Sequence, residues 1–167
     1  MDASFESKIL RQMERLQNQS LSQIEAEVAQ KRTAWLEQNR SLWQGQTACS
    51  PRRAFELLFF EYMGLSPQDV PVVQETGQQI SWLSKNPCPT LEACMRLGLD
   101  TRQVCRLAYE KSTQTFLSHI DAQLRFERSY QEIRPYAPHC RESILRLDFD
   151  FTDISNPGRP ELNQQPG

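Results

Sequence analysis

Neither glycine nor proline occurs ahead of Gly45, and the residues before it are rich in Gln, Glu, Arg and Leu. A stretch this long without the two residues that break helix interiors favours helix throughout. Phe5, Ile9, Met13 and Leu16 are spaced by four, four and three, which lines up one apolar stripe. Ser22 with Glu25 reads as a capping box that restarts a second stretch carrying Ile24, Val28, Trp35 and Leu36. The expectation for residues 1–48 is one amphipathic helix, or two with a break between Asn18 and Ser22. The stripe is not a sustained heptad seam, so it packs on its own domain before it makes a coiled coil. A homo-oligomer joined through these helices stays open.

Past the linker from Gly45 to Cys49, the pattern alternates between helix and strand. Ser50-Pro51 is a helix start, and Gly64 closes a helix whose run Leu57-Leu58-Phe59-Phe60 is apolar on most sides. Val70, Val72 and Val73, then Gly77, then Ile80 and Trp82 read as a hairpin. Pro89 opens a helix to Leu97, closed by Gly98. Asp100 with Gln103 caps another from Thr101 to about Ile120. Leu124 to Arg128 alternates as a strand, and a short helix or strand follows around Cys140 to Leu147. The class is therefore α+β, with N-terminal helices packed on a small antiparallel sheet and cysteine-bearing helices in a domain over 50–150. The tail 156–167, with three prolines and two glycines, is expected to be disordered.

The charge balance excludes some functions. A net charge of −2 with 24% charged residues gives no basic field for nucleic acid. No apolar run approaches the roughly 20 residues a membrane helix needs. The opening Met-Asp-Ala-Ser-Phe-Glu-Ser is acidic and polar, unlike a signal peptide, so a cytoplasmic location is expected. Thiols there stay reduced, and five cysteines leave at least one unpaired in any scheme.

Three of those cysteines, Cys88, Cys94 and Cys105, fall close together, and Cys140 follows beside His139. With Pro89 at the first helical position, Cys88 is the N-cap, where backbone N–H groups and the helix dipole favour a thiolate. That predicts a lowered pKa for Cys88. Cys88, Cys94, Cys105 and Cys140 would suit zinc or an iron–sulfur cluster by ligand type, though the spacing matches no familiar knuckle or cluster motif. Two other readings stand beside the metal: reduced thiols lining a ligand pocket, or small apolar side chains filling a core. His139 is a candidate base for Cys88 or Cys105, unless it is simply a loop residue beside Pro138, and Glu92 is a lesser candidate beside its capping role. Arg125, Arg128, Arg134 and Arg141, interleaved with Phe126, Tyr130 and Tyr136, offer guanidinium forks for a ligand carboxylate. Arg125 and Arg128 are the favoured pair. The alternative is a solvated strand face paired with Glu127 and Glu132.

The run Cys88-Pro89 … Glu92-Ala93 … Leu97-Gly98-Leu99 … Cys105, then Leu124 to Arg128, then Cys140, resembles the L-2-amino-thiazoline-4-carboxylic acid hydrolase-like family. The likeness covers about Ile80 to Ile144. It implies a small hydrolase opening a C–N bond in a cyclic amidine-type carboxylate, with Cys88 as nucleophile or ligand, Cys105 and Cys140 beside it, and Arg125 or Arg128 on the carboxylate. Against this stands a non-enzymatic accessory protein that binds a metal or ligand and docks on a protein partner through its N-terminal helices.

Overall fold

The computed structural model describes residues 3–45 and 48–147. The expected tail 156–167 and the end of the 50–150 segment lie outside the described residues. The glycine-free start forms two helices, α1 (Ala3–Asn18) and α2 (Leu21–Gln38). The break comes at Ser20, not at Ser22. Ser20 Oγ accepts from the Gln23 N–H at 3.2 Å, and the Gln23 side chain accepts from the Ser20 N–H at 2.8 Å. Glutamine serves the reciprocal bond as well as glutamate does. This register lays half-buried Leu21 against Ile24, Val28 and Ala108. The buried line of α2 is Ile24, Val28, Arg32 and Leu36, a spacing of four that keeps them on one face.

Ser50 caps α3 (Pro51–Glu56), accepting from the Arg53 N–H at 3.1 Å. The helix widens into a π-helical turn over Leu57–Tyr62 and stops at Gly64, whose φ of 67° suits glycine. Strands β1 (Val72–Glu75) and β2 (Gln79–Ser84) make the expected hairpin. Next come α4 (Pro89–Leu97), ended by Gly98 at φ 66°, and α5 (Thr101–Val104), which Asp100 caps through the Arg102 N–H at 2.9 Å. A second π-helical stretch, Cys105–Glu110, joins α5 to α6 (Lys111–Ile120). Strands β3 (Leu124–Arg128) and β4 (Cys140–Arg146) complete an antiparallel sheet in the order β1-β2-β4-β3.

The fold is α+β, as the sequence predicts. Ile80, Trp82 and Ser84 on β2 share an inner face with Glu142 and Ile144 on β4 and Leu124 and Phe126 on β3. The α3 helix covers that face. Phe55 and Phe59 each lie 4.9 Å, ring to ring, from Trp82. Burying an aromatic such as Phe55 contributes roughly 1.5–3 kcal/mol. Helix α2 packs on α6, where Trp35 stacks on Phe116 at 6.3 Å, and α1 packs on α4, tied by Glu6 accepting from Arg96 at 2.9 Å. Ile9 and Ile24 are fully buried, so both N-terminal helices contribute to the packed interior. Among the described residues no helix is long and apolar enough to cross a membrane.

Candidate functional site

Where α1, α2, the π turn after α3 and the inner face of the sheet meet, they enclose a cavity of about 770 Å³. Phe5 and Lys8 of α1, Arg32 of α2, and Leu58 and Phe59 of the π turn form one side. The segment Asn86–Thr90, Cys105 and Tyr109 form another, and Phe126, Arg128, Cys140 and Glu142 of the sheet form the floor. Most of the wall is apolar. Its charges are lopsided, because among the described residues Lys8, Arg32, Arg128 and Arg134 share the wall with one carboxylate, Glu142.

Strand register builds the polar part of the floor. Trp82 pairs with Glu142, and Glu142 pairs with Arg128, so the three side chains form a row across β2, β4 and β3. Glu142 Oε2 accepts from Ser84 Oγ at 2.6 Å and from Trp82 Nε1 at 3.0 Å, while Oε1 accepts from Arg128 Nε at 2.8 Å. Burial works against the Arg128 cation, but the Glu142 charge and hydrogen bond, with Cys105 and Tyr130 nearby, together outweigh it and raise the guanidinium above its ordinary value.

Among the described residues Arg32 has no such counterion. It is 8% exposed, and its Nη1 donates to Ser112 Oγ at 3.1 Å and Thr113 Oγ1 at 2.8 Å. Burial holds its pKa below the ordinary arginine value; nearby Arg128 adds to that, while the Tyr62 hydroxyl beside it opposes it. Arg134 donates from Nη1 to the Asn86 carbonyl at 2.8 Å. Each arginine of the wall keeps one buried N–H without a partner among the described residues: Arg32 Nε, Arg128 Nη1 and Arg134 Nε. A buried unpaired donor costs about 1–3 kcal/mol, more when it carries charge.

The cysteines are arranged as thiols, not as a metal group. Cys88 is the N-cap of α4, and its Sγ accepts from the Leu91 N–H at 3.5 Å. Its pKa is nevertheless raised, which corrects the expectation of an activated thiolate. Burial outweighs the hydrogen bonds from Leu91 and Thr90 and the nearby Arg134 charge. Burial also pushes Cys105 up to about 12 and Cys94 up to about 11. Cys88, Cys105 and Cys140 line the cavity, whereas Cys94 is fully buried outside its wall. Cys140 Sγ accepts from the Arg134 N–H at 3.5 Å. All five cysteines are free. Among the described residues no group of three or more His, Cys, Asp or Glu side chains is placed to hold a metal ion. Among the described residues the expected set of Cys88, Cys94, Cys105 and Cys140 is thus not gathered as a ligand group for zinc or an iron–sulfur cluster. Cys94 is turned into the core, and burial keeps Cys88 and Cys105 as neutral thiols.

Strand alternation sorts the remaining predicted residues. Cys140 and Glu142 face inward, so His139 and Arg141 face the other way, and both approach Glu132. His139 Nε2 lies 3.6 Å from Glu132 Oε1, and Arg141 Nε lies 2.6 Å from Glu132 Oε2. Among the described residues His139 makes no hydrogen bond to a cysteine, and it is absent from the cavity wall. Leu124, Phe126 and Arg128 point inward on β3, which leaves Arg125 on the outer face, donating to the Ala122 and Leu124 carbonyls at 3.0 Å each. The structure thus brings together Cys88, Cys105, Cys140 and Arg128, and leaves Cys94, His139 and Arg125 outside. Sequence reasoning missed Arg32 and Glu142. The signal for Arg32 was a charge at the third place of the apolar line Ile24, Val28, Arg32, Leu36. No protein-family model, no curated protein and no solved structure matches the chain.

Proposed function

We propose that the protein binds a small carboxylate-bearing organic ligand in this cavity. The apolar body lies against Leu58, Phe59 and Phe126, and the carboxylate sits between Arg32 and Arg128. The observation that carries this reading is Arg32, a buried cation hydrogen-bonded to hydroxyls and to no carboxylate among the described residues. Hydroxyls satisfy its donors but not its charge, and an uncompensated charge inside a protein costs several kcal/mol. A ligand carboxylate supplies the missing charge and can take the partnerless N–H groups of Arg32 and Arg128. The volume is in the usual range for small-molecule sites, and a mostly apolar wall with a few polar groups is their usual make-up.

The likeness to aminothiazoline-carboxylate hydrolases supports a cyclic amidine-type acid as the ligand class. Thiolate attack on such a ring is less well supported, because the cavity thiols Cys88 and Cys105 are held protonated and His139 faces away. Binding is therefore the reading adopted, with the thiols as a soft, neutral part of the wall. Thermal melting with 2-amino-thiazoline-4-carboxylate and with its carboxamide tests it. The acid should raise Tm and the amide should not, and Arg32→Met should abolish the difference. Equal stabilisation by acid and amide, or none by either, overturns the proposal.

A further inference from the structure

Beside the cavity mouth, α1 and α2 frame a smaller cleft of about 340 Å³. Its charged wall residues are Lys8, Arg11, Arg15 and Lys31, and no acid among the described residues lines it. Lys8, Arg11 and Arg15 fall at helical positions i, i+3 and i+7, so they share one face of α1. Lys31 faces them from α2. Arg15 pairs with Glu27 at 3.1 Å, but among the described residues no carboxylate pairs with Lys8, Arg11 or Lys31. The chain holds only four lysines and is net negative, so placing two of them here is a local concentration and not a general basic surface. Like charges stacked along one helix face destabilise it unless an anion lies between them. Tyr109 and Thr90 add hydroxyls, and Thr90 stands in the first turn of α4, where the helix dipole favours negative charge.

The cleft and the cavity adjoin, because Lys8, Pro89, Thr90 and Tyr109 belong to both walls. We propose that this cleft is a phosphate subsite, so that the ligand of the cavity is an organic acid that also carries a phosphate group. Three cations that no described carboxylate neutralises, with hydroxyl donors beside them, suit a doubly charged tetrahedral oxyanion better than a second carboxylate. This inference rests on the carboxylate reading for the inner end of the ligand. The outer end can be tested separately.

Two probes separate the ends in isothermal titration at low salt: inorganic pyrophosphate alone, and 11-phosphonoundecanoate compared with undecanoate. Wild-type protein should bind pyrophosphate, with affinity falling as sodium chloride is raised. The double variant Arg11→Gln with Lys31→Gln should lose at least tenfold in that affinity. The variant Lys85→Gln with Lys111→Gln, which removes the same charge elsewhere, should not. The phosphono acid should bind at least tenfold more tightly than undecanoate in wild type, and the gap should close in the Arg11/Lys31 variant while undecanoate affinity stays put. If undecanoate fails to bind but pyrophosphate binding still depends on Arg11 and Lys31, the cavity reading falls and the phosphate subsite stands. Pyrophosphate binding that is absent, or weakened equally by both double variants, overturns the subsite. So does an equal affinity for phosphono acid and undecanoate when both bind.

Discussion

Arg128 and Glu142 stand opposite each other in the β3–β4 register, and the carboxylate that neutralises Arg128 is shared with Trp82 and Ser84. The side chains of the pair are 12% and 5% exposed, so breaking one partner strands the other in a poorly solvated place. Glu142→Gln keeps the shape and removes the charge. It should cost about 3–5 kcal/mol in urea unfolding, the usual penalty for an orphaned buried ion. Adding Arg128→Met to that variant should recover most of the loss. A double variant as unstable as the single one would mean that Glu142 serves Trp82 and Ser84 more than Arg128.

A second, half-buried pair contributes to the acid limb of stability. Asp121 accepts from Arg146 at 2.8 Å, from the Cys49 N–H at 3.1 Å and from the Gln123 N–H at 2.9 Å. Burial raises its pKa, but Arg146 and the two backbone donors together outweigh burial and leave it lowered. A carboxyl lowered in the fold contributes stability that is present above its unfolded value, 3.8, and is lost as pH falls through the folded one. Asp121→Asn should therefore destabilise at pH 7 by roughly 1.5–3 kcal/mol, the worth of charged hydrogen bonds. It should also flatten the loss of stability between pH 4 and lower pH, followed by urea unfolding across an acid series.

The N-terminal helices can be tested through Ile24, which is fully buried on α2 against Val28 and Ala108. Ile24→Ala should cost about 2–5 kcal/mol, as for other core truncations. An unchanged denaturation midpoint would mean that α2 is an appendage, not part of the core.

The fold was largely legible, because its signals are local. Pro51, Gly64, Pro89 and Gly98 mark helix ends by backbone sterics alone, and the alternation in Leu124 to Arg128 marks a strand whatever it packs against. The site was legible only in part. Which face of β3 turns inward depends on pairing with β4, so Arg125 and Arg128 could not be told apart before the register was known. The behaviour of Cys88 was misjudged for a related reason. Its N-cap place can be read from Pro89, but the burial that overrides the helix dipole comes from distant chain segments. Arg32 comes from a helix far from the cysteines in sequence, and only tertiary packing brings them to one cavity.

Thiol chemistry follows from that burial. Cys105, pushed up to about 12, should alkylate with iodoacetamide at pH 8 far more slowly in the folded protein than in urea. Cys88 should be slow as well, since its pKa is also raised. A thiol raised in the fold contributes stability that is present below its unfolded value, 9.0, and is lost as pH rises toward the folded one. Stability should therefore decline between about pH 9 and 12, and Cys105→Ala should soften the decline. Fast labelling of Cys88 at pH 7 would restore the nucleophile reading.

Arg32 separates function from stability most directly. Burial lowers its pKa, so the folded chain holds this cation at a cost. Its hydrogen-bond partners do not need it, because Ser112 Oγ and Thr113 Oγ1 also donate to the Tyr109 carbonyl at 2.9 and 2.8 Å. Arg32→Met, similar in length and apolar, should leave no orphaned hydroxyl donor and should hold or raise the melting temperature of the ligand-free protein. The same change removes the charge that a ligand carboxylate would meet. Affinity should fall about 10- to 100-fold, from the roughly 1.5–3 kcal/mol of a charged hydrogen bond. A gain in stability with a loss of binding is the expected mark of a side chain retained for its ligand. A variant that melts several degrees lower while binding as before would place Arg32 among the supports of the α2–α6 packing, and its charge would need another explanation.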